Sequence, residues 1–243
     1  MIQTASTDSG AEVLVALERR VSQHGSSPLL TWYDLDAGYR IELSGRTFAN
    51  WVDKSANLLV SMDVDDSPRV LNTVLLTNPG HWVGLVWAMA VWQLGGSVVA
   101  ASRKEVTGAE LLDAAVVGPE NPHPIPGAET IACSLHPLGA GFADRPLGVT
   151  DYAEVLGQSD THWRMPATRP ICFEATPDRN WSDLAMVSPS PDRRAIIPGP
   201  DPWQTVCDTL VSPVLGGGSV VVLTGGTPTQ HLAIAQQERA LTA

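Results

Sequence analysis

The sequence predicts an α/β fold, a mainly parallel sheet layered with helices. Three observations carry this. Residues 70–102 contain no Asp, Glu, Lys or Arg, and within them "NPGHWVGLVWAMAVWQLGG" (78–96) is helix-length and bounded by Asn-Pro and Gly-Gly. Its flanks, "RVLNTVLLT" and "SVVAAS", are β-branched and aliphatic, as buried strands are. A helix apolar all round between two apolar strands is what a parallel sheet with both faces covered produces.

The elements follow in order. "GAEVLVALERRVSQ" (10–23) predicts an amphipathic helix. "PLLTWYDLDAGYRIELS" predicts a hairpin, with strands at Leu29–Tyr33 and Tyr39–Leu43 around an Asp36-Ala37-Gly38 turn. In "GRTFANWVDKSANLLVSM" Phe48, Trp51, Val52, Ser55, Ala56 and Leu59 share one helical face. Ser44 or Thr47 is the expected N-cap, and Lys54 is expected in solvent.

Strand Val70–Leu76, helix Pro79–Leu94 and strand Ser97–Ala101 come next, with Asn78 as N-cap and Pro79 in the first turn. That helix would be about 24 Å long, too short to span about 30 Å of hydrocarbon. Trp82, Trp87 and Trp92 spiral around it, which suits core and not a membrane belt. "TGAELLDAAVVG" predicts a short helix and a strand. Of the 19 prolines, 14 lie between 119 and 202; short strands are expected there at Thr130–Cys133, Ile171–Phe173 and Leu184–Val187. The end is regular again: helix Gln204–Leu215, strand Ser219–Leu223, and a helix capped by Thr227-Pro228 running to about Leu241. Residues 1–118 are therefore expected to form an α/β lobe of hairpin plus strand–helix–strand units. Residues 119–243 are expected as a proline-rich loop segment returning to helix–strand–helix of the same or a second lobe.

A net charge of −11 argues against nucleic acid or an anionic membrane as partner, since both need a basic patch. Cys133, Cys172 and Cys207 are widely spaced and lack a C-x-x-C, so buried free thiols are expected and no zinc site. "MIQTASTDSG" has no leader pattern, making a reduced cytoplasmic setting the default. "MDVDDSPR" lacks the spacing and glycine of a calcium loop, and no metal site is expected.

"LGGGSVVVLTGGT" has no phosphate-loop spacing, and no G-x-S-x-G or H-E-x-x-H occurs. The candidate ligand-binding residues are those at strand C-terminal ends, Asn78, His81, Trp82, Thr224, Gly225 and Gly226. At the start of a helix, His81 would have its pKa lowered by the dipole. No carboxylate pair suggests acid–base catalysis, and no catalytic residue is assigned.

"TFANWVDKSANLL", the 74–101 unit, "LVSPVLGGGSVVVLTGG" and "HLAIAQQERALTA" resemble successive segments of the adenylate-forming, AMP-dependent synthetases and ligases. "TWYDLDAGYRIELSGRTFANWVDKSANLL", "HPLGAGFADRPLGVTDYAE" and "VLGGGSVVVLTGG" are similar to signatures of a family of short, uncharacterised bacterial proteins distantly related to those AMP-binding enzymes. The resemblance implies a fold like a truncated N-terminal domain of such enzymes. It also implies where their T-S-G-[ST]-T-G-x-P-K phosphate loop would lie, near "DLAMVSPSPDRRAIIPG". There Pro189 and Pro191 stand where glycines are expected, and proline supplies no N–H to wrap a phosphate. The resemblance also implies a C-terminal lysine, for which no counterpart is expected here.

The resemblance thus implies a catalytically inactive homologue with a binding or interaction role. ATP, AMP or an acyl-adenylate would be its natural ligand class, unsupported by a phosphate loop. Two alternatives stay open: a ligase-type enzyme completed by a partner chain, and a structural subunit that pairs with itself or another protein through an exposed edge.

Overall fold

The computed structural model describes residues 11–106, 111–161 and 163–242. The N-terminal decapeptide, read above for a leader, and Thr107–Glu110 of the expected short helix lie outside them; Leu111–Asp113 is irregular chain.

The first half follows the predicted order. Helix α1 (Ala11–His24) leads to the hairpin β1 (Pro28–Asp34) and β2 (Tyr39–Ser44), and then to α2 (Gly45–Val60). Ser44 caps α2, accepting from the Thr47 amide at 3.1 Å. The polar face of α2 is covered, not free. Lys54 Nζ donates to the Gln158 carbonyl, and Asn57 Nδ2 donates to those of Ser159 and Thr161. Lys54 is therefore tied to the chain at 158 instead of standing in solvent.

Strand β3 (Arg69–Asn72) is shorter than expected and gives way to a turn of helix, α3 (Val74–Thr77). Thr73 takes helical dihedrals and bonds to Val116 through its amide and its hydroxyl, which carries the chain out of the sheet. Helix α4 (Trp82–Gln93) then starts three residues later than predicted, capped by His81 and not Asn78. Gly80 has φ +74°, a left-handed conformation that no helix passes through, so Pro79 lies outside the helix. Every residue of α4 is buried, as the core reading requires. Among the described residues no helix is long and apolar enough to cross a membrane.

Strands β4 (Ser97–Val99), β5 (Ala114–Val117), β6 (Glu129–Ala132) and β7 (Thr150–Asp151) follow, and then β8 (Ile171–Glu174) and β9 (Arg179–Asn180). The strand expected at Leu184–Val187 is a helix instead, α5 (Trp181–Ala185). Its apolar residues lack strand alternation, and a reciprocal capping box between Asn180 and Asp183 starts a helical turn.

After β10 (Arg193–Ile196), Asp201 caps α6 (Pro202–Val206). This passes through a π-helical stretch, Cys207–Val211, into α7 (Ser212–Gly216). Pro213 gives no N–H to the Thr209 carbonyl and its ring needs room there, which accounts for the wider turn. Strand β11 (Ser219–Thr224) leads to α8 (Pro228–Gln237), which stops short of Leu241. Arg239 turns left-handed at φ +51°, and the chain ends extended as β12 (Leu241–Thr242).

The strands form two sheets. One has the order β12-β10-β11-β1-β2, parallel except for the β1–β2 hairpin; the other has the order β7-β6-β5-β3-β4-β8-β9, parallel except for β8–β9. Both sheets draw strands from residues 1–118 and from residues 119–243. The α/β architecture with a mainly parallel sheet layered by helices is thus present, divided over two sheets.

The main core runs from one face of the first sheet (Leu30, Trp32, Val220, Val222) through α4 and α2 to the second (Val70, Val98, Ile131, Phe173). Helix α8 covers the other face of the first sheet. It is fastened there by Glu238, which accepts from Tyr33 Oη at 2.5 Å, from Arg193 at 2.5 Å and from Arg40 Nε at 3.1 Å.

Candidate functional site

The six residues picked from sequence divide among neighbouring surroundings. Asn78 ends α3, and its Nδ2 donates to Glu120 at 2.6 Å and Thr77 at 3.0 Å. His81 and Trp82 belong to a buried aromatic cluster. The His81 ring meets Trp32 edge-on at 4.6 Å and stacks with Trp82 at 5.9 Å, and Trp82 meets Trp51 at 5.0 Å.

Gly80 is pressed against the first sheet. A β-carbon there would come within 2.6 Å of Pro198 and 2.8 Å of Val222, so only glycine fits both the space and the backbone angle. His81 Nδ1 accepts from the Val83 amide at 3.2 Å, which puts the ring proton on Nε2. Burial holds the His81 pKa down to about 4, with the neighbouring Leu135 carbonyl acting in the opposite sense. Burial, not the helix terminus, is the main cause.

Thr224, Gly225 and Gly226 turn the other way, onto the β1–β2 hairpin. Thr224 Oγ1 donates to the Tyr33 carbonyl at 2.8 Å, and the Gly226 amide donates to Asp36 Oδ1 at 2.9 Å. A side-chain carboxylate of the protein thus occupies the position an outside anion would take at that turn. The structure sets Gly80 against Val222 of β11 and His81 against Trp32 of β1, with Trp82 stacked on His81, whereas Asn78 bonds to Glu120 and the Thr224–Gly226 turn to Tyr33 and Asp36.

An open cavity of about 680 Å³ lies elsewhere, along the segment where the resemblance places a phosphate loop. Its walls are α5, residues 186–192, β10 and the α6–α7 helix. The segment is held from beneath. The Ser190 amide donates to the Ser212 carbonyl at 3.0 Å, the Gly218 amide to the Ser190 carbonyl at 3.1 Å, and the Ser219 amide to the Asp192 carbonyl at 3.0 Å. Of the amides that could have faced a phosphate, the Ser190 N–H is engaged and Pro189 and Pro191 have none.

Among the described residues several polar side chains on the cavity wall lack a hydrogen-bond partner, the Asp192 carboxylate among them. The Arg194 side chain makes neither an ion pair nor a hydrogen bond among the described residues. Arg179 stacks over Trp203 at 5.6 Å with its buried Nε unpartnered, and the buried Ser190 Oγ is likewise unpartnered. Two of the acidic groups on the wall are engaged: Asp183 accepts from the Asn180 amide and Asp208 from Gln204. Cys207 lines the cavity, but burial pushes its thiol up to about 12, so it is no nucleophile at neutral pH.

With this geometry the likeness to known structures can be read. An acyl-CoA synthetase from Brucella canis matches 94% of the chain at a TM-score of 0.69 and 14% identity. An anthranilate CoA ligase, AuaEII, in complex with anthranoyl-AMP matches 93% at 0.66 and 15% identity. The fold is that of the adenylate-forming enzymes. A benzoate CoA ligase from Burkholderia xenovorans shares this adenylate-forming fold over 92% of the chain, at 0.60 and 12% identity.

In these three the match covers 46–48% of the solved chain. Among curated proteins, a "TIGR03089 family protein" from Mycobacterium tuberculosis is 33% identical over 140 residues, 53% of this chain. That match spans about half, 52%, of the relative's own length. No protein-family model matches the chain.

Sequence reasoning marked the 183–199 segment for what it lacks and assigned its arginines no role. Arg193 and Arg194 are adjacent in sequence, yet one is bonded to Glu238 and the other is unpaired beside the cavity. Strand alternation separates them, and β10 was not predicted.

Proposed function

We propose that the protein does not adenylate a substrate and instead binds a small organic anion in the cavity beside Ser188–Arg194. The carrying observation is one cavity wall with two arginines that lack an acidic partner among the described residues, next to a segment whose backbone is already engaged. Adenylation places a pentavalent phosphoryl charge that amide donors, a lysine and Mg²⁺ must stabilise. Losing one such donor removes about 2.7–4 kcal/mol of transition-state stabilisation. Here a prolyl segment supplies none of the loop's donors at 189 and 191. Arginine side chains remain, and a planar guanidinium fork suits carboxylate or phosphate recognition without chemistry.

Two measurements test the reading. ATP–pyrophosphate exchange with a pool of carboxylic acids is expected at background for the purified chain; exchange above background overturns the non-adenylating half. A thermal-shift series with pyrophosphate, AMP, acetate and benzoate is expected to give at least one stabilising anion. Its effect should be lost in Arg194→Gln and reduced in Arg179→Gln. No shift across the series, or a shift unchanged in both variants, overturns the binding half.

A further inference from the structure

Apart from that cavity, a groove of about 300 Å³ lies between α1 and α2, with Gln93 and Arg164 also in its lining. Leu14, Leu17 and Val21 on α1 and Ala49 on α2 make its apolar floor. Its two ends differ in charge. On α2, Arg46, Ala49 and Asp53 fall three and four residues apart, on one face. Seven residues of helix set Arg46 and Asp53 about 10 Å apart along the axis.

The Arg46 side chain is exposed and forms no ion pair or hydrogen bond among the described residues. At the other end Gln93, only 7% exposed, donates to Asp53 Oδ1 at 2.7 Å and fixes the carboxylate. Asp53 Oδ2 accepts no hydrogen bond among the described residues. Glu18 and Asp160 add negative charge at this end, and Arg164 is bound to Glu18 at 2.9 Å. Burial, with those two acids, raises the Asp53 pKa against the opposing hydrogen bond from Gln93. A cation next to Asp53 would relieve that.

We infer that the α1–α2 groove binds an extended zwitterion, its ammonium on Asp53, its carboxylate on Arg46 and a methylene chain on the apolar floor. Contacts of about 3 Å at each end leave several ångströms for the chain, the span of a short ω-amino acid. An anion alone would leave Asp53 unmatched, and an amine alone would leave Arg46 unmatched.

Isothermal titration calorimetry with 6-aminohexanoate, hexanoate and hexylamine tests this. 6-Aminohexanoate is expected to bind at least tenfold more tightly than either single-ended compound. Arg46→Gln should weaken it about tenfold, towards hexylamine, and Asp53→Asn should weaken it towards hexanoate. Arg46 is exposed, so its variant keeps the fold and decides the matter even where Asp53→Asn, checked by circular dichroism, does not. Absence of heat at millimolar 6-aminohexanoate, equal affinity for a single-ended compound, or unchanged affinity in Arg46→Gln would overturn the inference. The titrations are repeated in Arg194→Gln, so that a carboxylate held in the anion cavity, which shares no residue with the groove, is told apart from one held in the groove.

Discussion

The carbonyl oxygen of Ser190 lies 2.3 Å from where a β-carbon on Gly216 would stand. Gly218 is as close to the carbonyl of Asp192, and Gly217 between them has φ +74° with nothing near its missing β-carbon. The glycine triplet is therefore the seat of the 190–192 segment. Its first and third members are set by proximity, its second by backbone angle.

The triplet separates two kinds of glycine cost. Gly217→Ala should destabilise by about 1–2 kcal/mol, the penalty of a left-handed alanine. Gly216→Ala meets backbone that cannot rotate away and should reach about 3 kcal/mol, the upper end of overpacking. Urea unfolding of both variants checks the order, and equal losses would contradict it.

His81 makes stability depend on pH in a window set by its two pKa values. Unfolded, it titrates near 6.5; folded, burial holds it at about 4. As pH falls below 6.5 the unfolded chain takes the proton first, so stability drops until about pH 4 and then levels. Between pH 7 and pH 4.5 the wild type should lose about 2–3 kcal/mol more than His81→Asn, which keeps a capping oxygen and does not titrate. Parallel urea curves for both proteins over that range are the measurement.

Glu238 has the opposite dependence. Burial opposes its charge, but hydrogen bonds from Tyr33, Arg40 and Arg193 prevail and hold its pKa at about 2. Its contribution is complete above pH 4.5 and is lost as pH falls through about 2. Glu238→Gln should therefore cost about 2 kcal/mol at pH 7, the size of a charge-assisted hydrogen bond. The gap to wild type should close below pH 4. A gap independent of pH would mean that packing of α8, and not charge, holds it to the sheet.

Asn180 starts α5, and so positions one wall of the cavity. Asn180→Ala should lower stability by about 1 kcal/mol, the usual loss of an N-cap. Any anion identified for the cavity should bind more weakly to this variant, because the α5 wall loses the Asn180 side-chain cap on Ser182. Chemical denaturation and titration of the same preparation give both readouts.

Local signals were enough for much of the fold. The apolar 70–102 run, the hairpin turn at 36–38, the spacing from Phe48 to Leu59 and the Thr227-Pro228 cap each act within a few residues, and their elements are present in the predicted order, with the bounds of β3, α4 and α8 shifted. Where a partner distant in sequence decides, the sequence alone was mute. The left-handed Gly80 answers to Pro198 and Val222, and it moved the start of α4 from Pro79 to Trp82. Strand β10 exists because β11 and β12 flank it, and only that pairing sends Arg193 to Glu238 and Arg194 to the cavity. The prolines at 189 and 191 were legible as missing donors. That the Ser190 amide is also engaged, and that Arg179 and Arg194 have no acidic partner among the described residues, depended on contacts that form only when the chain folds back on itself.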